Sequence, residues 1–198
     1  MSALKSRFMS QLPLLRHDEL DEAGQQVWEA VITTRGQRVV SPEGHLTGPF
    51  NALLHAPGVG LRVSDLGAAV RFGSSLEPHL LELAVLTVAA RWQAEYEWVA
   101  HAKLAAQAGL SEEVVDALAE RKDPPLGSED QRTVYTVARQ LVDTGHIEPA
   151  TWAAAQELLG NRGLVELVFL CGYYSLVSFG LNAFDVPLQP GDSPRWPA

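Results

Sequence analysis

The chain has 198 residues, 46% of them hydrophobic and 20% charged, which suits one globular domain with a proper core and room for a short extra arm. Its formal net charge is −9 and no run of basic residues occurs, which argues against nucleic acid as a partner because phosphate binding needs clustered Lys and Arg. The single cysteine, Cys171, leaves no internal disulfide and no CxxC redox pair. That fits a reducing cytoplasm.

The opening MSALKSRFMSQLPLLRHDEL has no apolar core of signal-peptide length before charges return, so a cytoplasmic protein is expected. Alanine and leucine dominate and no alternating strand pattern persists, so the fold class is all-α. Residues 17–34 read as a first helix with acids in its first turn. Residues 35–49 (RGQRVVSPEGHLTGP) read as a loop long enough to be functional. A short helix begins at Phe50 and stops before Pro57, and another covers 59–72. Residues 77–92 and 94–108 follow, as one long helix or as two with a break near Gln93. Gly109 is a natural C-terminal cap, and Ser111 opens the next helix. Lys122–Gly127 (KDPPLG) is the clearest linker. Helices near 128–144, 149–158 and 162–182 complete the chain. The uncharged run 167–184 is expected to be a buried or oligomer-facing helix, with no membrane span.

Several residues in these helices are able to carry chemistry. Glu82 sits among Leu80, Leu81, Leu83, Val85, Leu86 and Val88, so it is expected to be at least partly buried. A buried carboxylate must find a partner or take up a proton, which raises its pKa towards the range used in acid–base catalysis. The alternative is a structural ion pair with Arg91 or Arg71. Glu97 and His101 stand four apart and share a helix face, a spacing at which a carboxylate orients an imidazole. The alternative there is an exposed surface pair. Glu-x-x-x-His supplies only two ligands, so no metal is expected. Cys171, in an apolar helix without a nearby cation, reads as an inert core thiol. Asn51 and His55 follow a Gly-Pro turn able to present donors to an anion, and simple turn chemistry explains the same residues. Tyr96, Trp98, Tyr173 and Tyr174 read as core or interface aromatics. LLELAVL (80–86) and LVELVFL (164–170) echo each other, each with a lone Glu, which reads either as an internal helical pseudo-repeat or as coincidence.

The stretch 77–118 resembles the central motif of the carboxymuconolactone decarboxylase and alkylhydroperoxidase-D-like superfamily, with Glu82, His101, Ala105 and Gly109 at the motif positions. GPFNALLHAP (48–57) and GYYSLVSFGLNAF (172–184) extend the likeness, so residues 1–47 form an N-terminal helix-and-loop arm and 48–185 the family-like core of one helical bundle. The peroxidase branch carries a CxxC before the histidine, where this chain has Ala94 and Glu97, so the resemblance implies no thiol peroxidase. It implies a cofactor-independent acid–base enzyme of decarboxylase, isomerase or lactone-hydrolase type acting on a small carboxylic acid or lactone. Glu82, Glu97 and His101 would be catalytic, while Arg91, Tyr96, Asn51, His55 and Lys103 would bind the substrate. A non-catalytic small-molecule-binding member is the alternative. The family assembles as trimers or hexamers, so a homo-oligomer is expected.

Overall fold

The computed structural model describes residues 10–196. Residues 1–9, which open the expected arm and the segment read as lacking a signal peptide, lie outside the described residues. Among the described residues every regular element is helical, and two isolated β-bridges, Arg16 with His45 and Val40 with Leu46, are the remaining pairings. The chain divides into two compact units: residues 1–72 with 180–192, and residues 73–179 with 193–198. The boundary after Phe72 falls inside the span 48–185 that the sequence groups together.

In the first unit the first helix starts later than the acids suggest. His17–Glu19 form a single 3₁₀ turn, Leu20 is extended, and α1 (Glu22–Arg35) begins where the Asp21 carboxylate accepts from the Gly24 N–H at 2.8 Å. The long loop holds a 3₁₀ turn, Gln37–Val39. The short helix α2 spans Phe50–Leu53, and Pro57 does more than stop it, because it opens α3 (Pro57–Phe72). A proline suits a helix start, where its missing N–H has no partner to lose. The α2–α3 turn is tight enough that a Cβ on Gly60 would run into the Leu53 carbonyl. Val27, Trp28 and Val31 of α1 form the core with Leu46 and Leu54, and α1 packs against α3.

The second unit is built around α4 (Pro78–Trp92), whose residues 80–90 are all buried and which packs against α5 (Glu95–Gln107), α6 (Glu112–Ala119) and α7 (Glu129–Thr144). Two helices, not one, cover 78–107. Gln93 takes a left-handed conformation (φ 48°, ψ 44°) and Ala94 is extended, which turns α5 away from the α4 axis. Gly109 (φ 93°) ends α5, while Ser111 and Ser128 cap α6 and α7 through the amides of Val114 and Gln131. Leu83, Leu86, Trp98, Leu110, Val114 and Leu118 dominate the core, with Trp196 packed against it. The segment carrying Trp196 is tied to α5, since the Arg195 and Trp196 amides each donate to a Glu95 carboxylate oxygen at 2.7 Å.

The last helix, α8 (Pro149–Ala183), is interrupted by one non-helical residue, Gly160 (φ 62°, ψ −179°), so the expected gap between two helices shrinks to a single kink. By length and composition α8 could cross a membrane, and half of its apolar window is buried. The two echoed glutamates have different surroundings. Glu82 is 4% exposed, whereas Glu166 is half-buried and accepts from the Ser75 amide at 2.6 Å, the hydroxyls of Ser74 and Ser75, and Arg162. Glu166 braces the segment before α4.

Candidate functional site

The left-handed turn at Gln93 brings the buried face of α5 back against α4. Glu82, on α4, then meets His101, on α5: Nδ1 lies 2.7 Å from Glu82 Oε2. On the other side of the ring, Nε2 lies 3.0 Å from Glu97 Oε1, one helical turn earlier on the same face. Glu82, Glu97 and His101 are each no more than 6% exposed. The surface-pair alternative for Glu97 and His101 therefore fails, and Glu82 has His101 as a buried partner. The Tyr174 ring, from α8, stands edge-on to the imidazole at 5.0 Å, and Tyr173 packs edge-on to Tyr174 at 5.4 Å.

Carboxylates only accept hydrogen bonds, so an imidazole between two of them is fully satisfied when both of its nitrogens carry protons. Burial works to lower the pKa of His101, but the hydrogen bonds to Glu82 and Glu97, with their negative charge, outweigh it and the pKa is raised. The three side chains form a chain of proton donors and acceptors with the imidazole as its middle link. The carboxylates lie on opposite ring nitrogens and do not converge on one point. Among the described residues no three His, Cys, Asp or Glu side chains are arranged to hold a metal ion.

The residues expected to bind substrate come from several elements. Arg91 lies nine positions after Glu82, about 13 Å along the helix, and its Nε is 3.1 Å from Asp143 of α7. Lys103 is exposed two residues beyond His101, and positions two apart on a helix do not share a face. Tyr96 is half-buried beside Glu97 in sequence but points along another face of α5. Asn51 and His55 belong to the first unit. The Asn51 amide binds both the N–H and C=O of Leu15 (3.0 and 2.8 Å), and His55 Nε2 lies 2.9 Å from the Pro13 carbonyl oxygen. Both side chains anchor the N-terminal segment, as turn chemistry allows.

Sequence reasoning missed Tyr174 as a neighbour of His101. It also missed Ser178, one turn further along α8, which is fully buried with a hydroxyl that has no hydrogen-bond partner among the described residues. The available signal was polar atoms four residues apart in an uncharged run. Cys171 is buried, and desolvation pushes its pKa up to about 12, so it is an inert thiol.

Residues 57–140 match the carboxymuconolactone decarboxylase family. Over that segment the chain is similar to the family. The matched segment contains Glu82, Glu97 and His101. None of the functionally curated proteins matches the sequence. Among solved structures, the chain is similar to an uncharacterized peroxidase-related protein from Ralstonia eutropha JMP134 described as an alkylhydroperoxidase AhpD core. That pair shares 14% identity over 91% of this chain and 93% of the other, with a TM-score of 0.73. A peroxidase-related protein from Silicibacter sp. TM1040 aligns with 17% identity, 96% and 95% coverage and a TM-score of 0.67. The debrominase Bmp8, in complex with 2,3,4-tribromopyrrole, aligns with 14% identity, 96% and 94% coverage and a TM-score of 0.66. At such identities the likeness is one of fold. This chain has Ala94 and Glu97 ahead of its histidine, and no cysteine in α5.

Proposed function

We propose that the chain is a cofactor-independent acid–base enzyme acting on a small carboxylic acid or lactone. The observation that carries this reading is the imidazole of His101 held between Glu82 and Glu97, 2.7 and 3.0 Å away, in a buried setting. In the reaction, a substrate carbonyl oxygen takes the place of Glu97 at Nε2 and accepts its hydrogen bond. The freed Glu97 carboxylate accepts the proton from the carbon next to that carbonyl, giving an enolate stabilised by the His101 N–H. Glu82 stays on Nδ1, holding the ring and balancing its charge. Returning the proton to a different carbon gives isomerisation, and a decarboxylation generates the same enolate by loss of carbon dioxide. Lactone hydrolysis uses the same pair, with Glu97 taking a proton from water. Glu97 in the position of a peroxidase thiol, and the inert Cys171, count against peroxide chemistry. A debrominase of this fold in complex with a single small heteroaromatic ring supports a small substrate.

The test is proton exchange in heavy water, followed by NMR over a panel of lactones and oxo acids. Wild-type protein should exchange or convert at least one compound, and His101→Ala and Glu97→Gln should each abolish that turnover with unchanged circular dichroism. If both variants keep full activity on that compound, the acid–base assignment is wrong. The near-complete burial of all three groups favours a second reading, a non-catalytic binding member. Compounds that raise the melting temperature but are never exchanged or converted would decide for it.

A further inference from the structure

At the other end of α4, a second charged cluster takes no part in the site around His101. Asp143, on α7, is the shared partner of three arginines. Its Oδ1 is 3.1 Å from Arg91 Nε and 3.0 Å from Arg121 Nη2, and its Oδ2 is 2.6 Å from Arg139 Nε. Arg139 also donates to the Tyr135 hydroxyl at 2.8 Å. These arginines, Lys122 and Tyr135 line a small, shallow, open cleft. Four cations face two carboxylates here, Asp143 and Glu120, the latter paired with Lys122. That leaves a surplus of positive charge in a chain whose net charge is −9.

The backbone carries a separate sign that this arrangement is not incidental. At the end of α6 the chain turns with the Arg121 amide donating to the Leu118 carbonyl and the Lys122 amide to the Ala117 carbonyl, both at 2.9 Å. A residue in that place is usually glycine, because it must adopt a left-handed conformation. Here it is Arg121, with φ of 54°. Such strain at a non-glycine residue persists where the side chain has work to do. The guanidinium of Arg121 is thereby delivered to the cleft, next to the Lys122 ammonium. Asp143 occupies one N–H of Arg121, and none of the other guanidinium N–H groups of Arg91 and Arg121 donates to a protein acceptor among the described residues.

We propose that this cleft binds a phosphate group. A phosphate monoester or inorganic phosphate carries close to two negative charges at neutral pH and offers tetrahedral acceptors, which matches the charge surplus and the spread of donors better than a singly charged planar carboxylate. Asp143 holds the three guanidiniums together, and the phosphate docks on their outward N–H groups and on Lys122. The cleft is open and small, so the group is gripped at its mouth and whatever carries it stays in solvent. This site is independent of the acid–base reading of His101, and its test reads binding, not turnover.

The test is isothermal titration calorimetry of the full chain at fixed ionic strength, with inorganic phosphate in one arm and glycerol 3-phosphate in the other. Saturable one-site binding is expected in at least one arm, and the tighter arm identifies the source as the free ion or an esterified phosphate. Arg121→Gly should weaken that binding about tenfold or more while leaving the melting temperature unchanged or higher, since glycine relieves the left-handed strain. Lys122→Gln, on an exposed side chain, should weaken it without affecting folding. Arg162→Gln, away from the cleft, should bind as wild type does. Absence of saturable heat in both arms overturns the proposal. So does equal affinity in wild type, Arg121→Gly and Lys122→Gln.

Discussion

The buried proton chain makes a demand on stability that Glu82→Gln tests. The substitution keeps the size of the side chain and an oxygen able to accept from His101 Nδ1, but removes the charge 2.7 Å from the ring. A hydrogen bond to a charged partner contributes about 1.5–3 kcal/mol, and this one is nearly free of solvent screening. Glu82→Gln should therefore lower stability by about 2 kcal/mol near pH 6, or roughly 4–8 °C in melting temperature for a chain of this size. Glu82→Ala also deletes volume and leaves the imidazolium with one buried partner, so it should cost about 3–5 kcal/mol. The pH dependence fixes the cause. The His101 pKa is raised above its ordinary 6.5, so the folded chain holds that proton more tightly than the unfolded one. The stabilisation is complete below about pH 6.5 and disappears as the pH climbs through the folded-state value. Urea unfolding of wild type and Glu82→Gln, from pH 5.5 upwards, should show curves that are well separated at low pH and converge as pH rises. A gap that is constant with pH, or one that widens as pH rises, would refute the reasoning.

Glu166 provides a test of opposite sign. Burial works to raise its pKa, but the Ser75 amide, Arg162 and the two serine hydroxyls bring it down to about 2 from 4.5. Its contribution is present above pH 4.5 and lost as pH falls towards 2, so Glu166→Gln should be less stable by about 1–2 kcal/mol at neutral pH and equal to wild type in strong acid by circular dichroism. Trp196→Ala removes an indole that donates to the Ala119 carbonyl at 3.0 Å and packs edge-on to Trp98 at 5.1 Å. It should lower stability by about 2–3 kcal/mol in thermal melts, and an unchanged melt would show that the tail is not docked in solution. We also propose that the exposed stripe of Val165, Phe169, Leu176 and Phe179 on α8 is the face of a homo-oligomer, a trimer or hexamer. Light scattering should show that assembly, with Phe169→Glu combined with Phe179→Glu shifting it to monomer. A monomeric wild type would overturn it.

The parts of the site that were legible in the sequence were those set by local periodicity. Four-residue spacing put Glu97 and His101 on one face, and a ring of aliphatic neighbours implied that Glu82 is at least partly buried. The meeting of Glu82 with His101 depends on how α4 turns into α5, and nothing in ARWQAEYE requires Gln93 to be left-handed. The same spacing rule rejects Lys103 as a neighbour of His101, although proximity in sequence suggested it. Arg91 was misplaced for a different reason. Its partner Asp143 comes from α7, and a long-range ion pair leaves no periodic trace in either helix. In the first unit, acids at 18, 19, 21 and 22 all suit a helix start, and only the hydrogen bond from Gly24 to Asp21 selects among them.

The tie between Glu95 and the amides of Arg195 and Trp196 has a practical use. It fastens the first turn of the helix that carries Glu97 and His101 to a segment a hundred residues away in sequence. A protease that cuts near Trp196 needs that segment released, so the rate of clipping reports how often the start of α5 lets go. A small molecule that pulls Glu97 away from His101 would register as a change in that rate, even where no product forms.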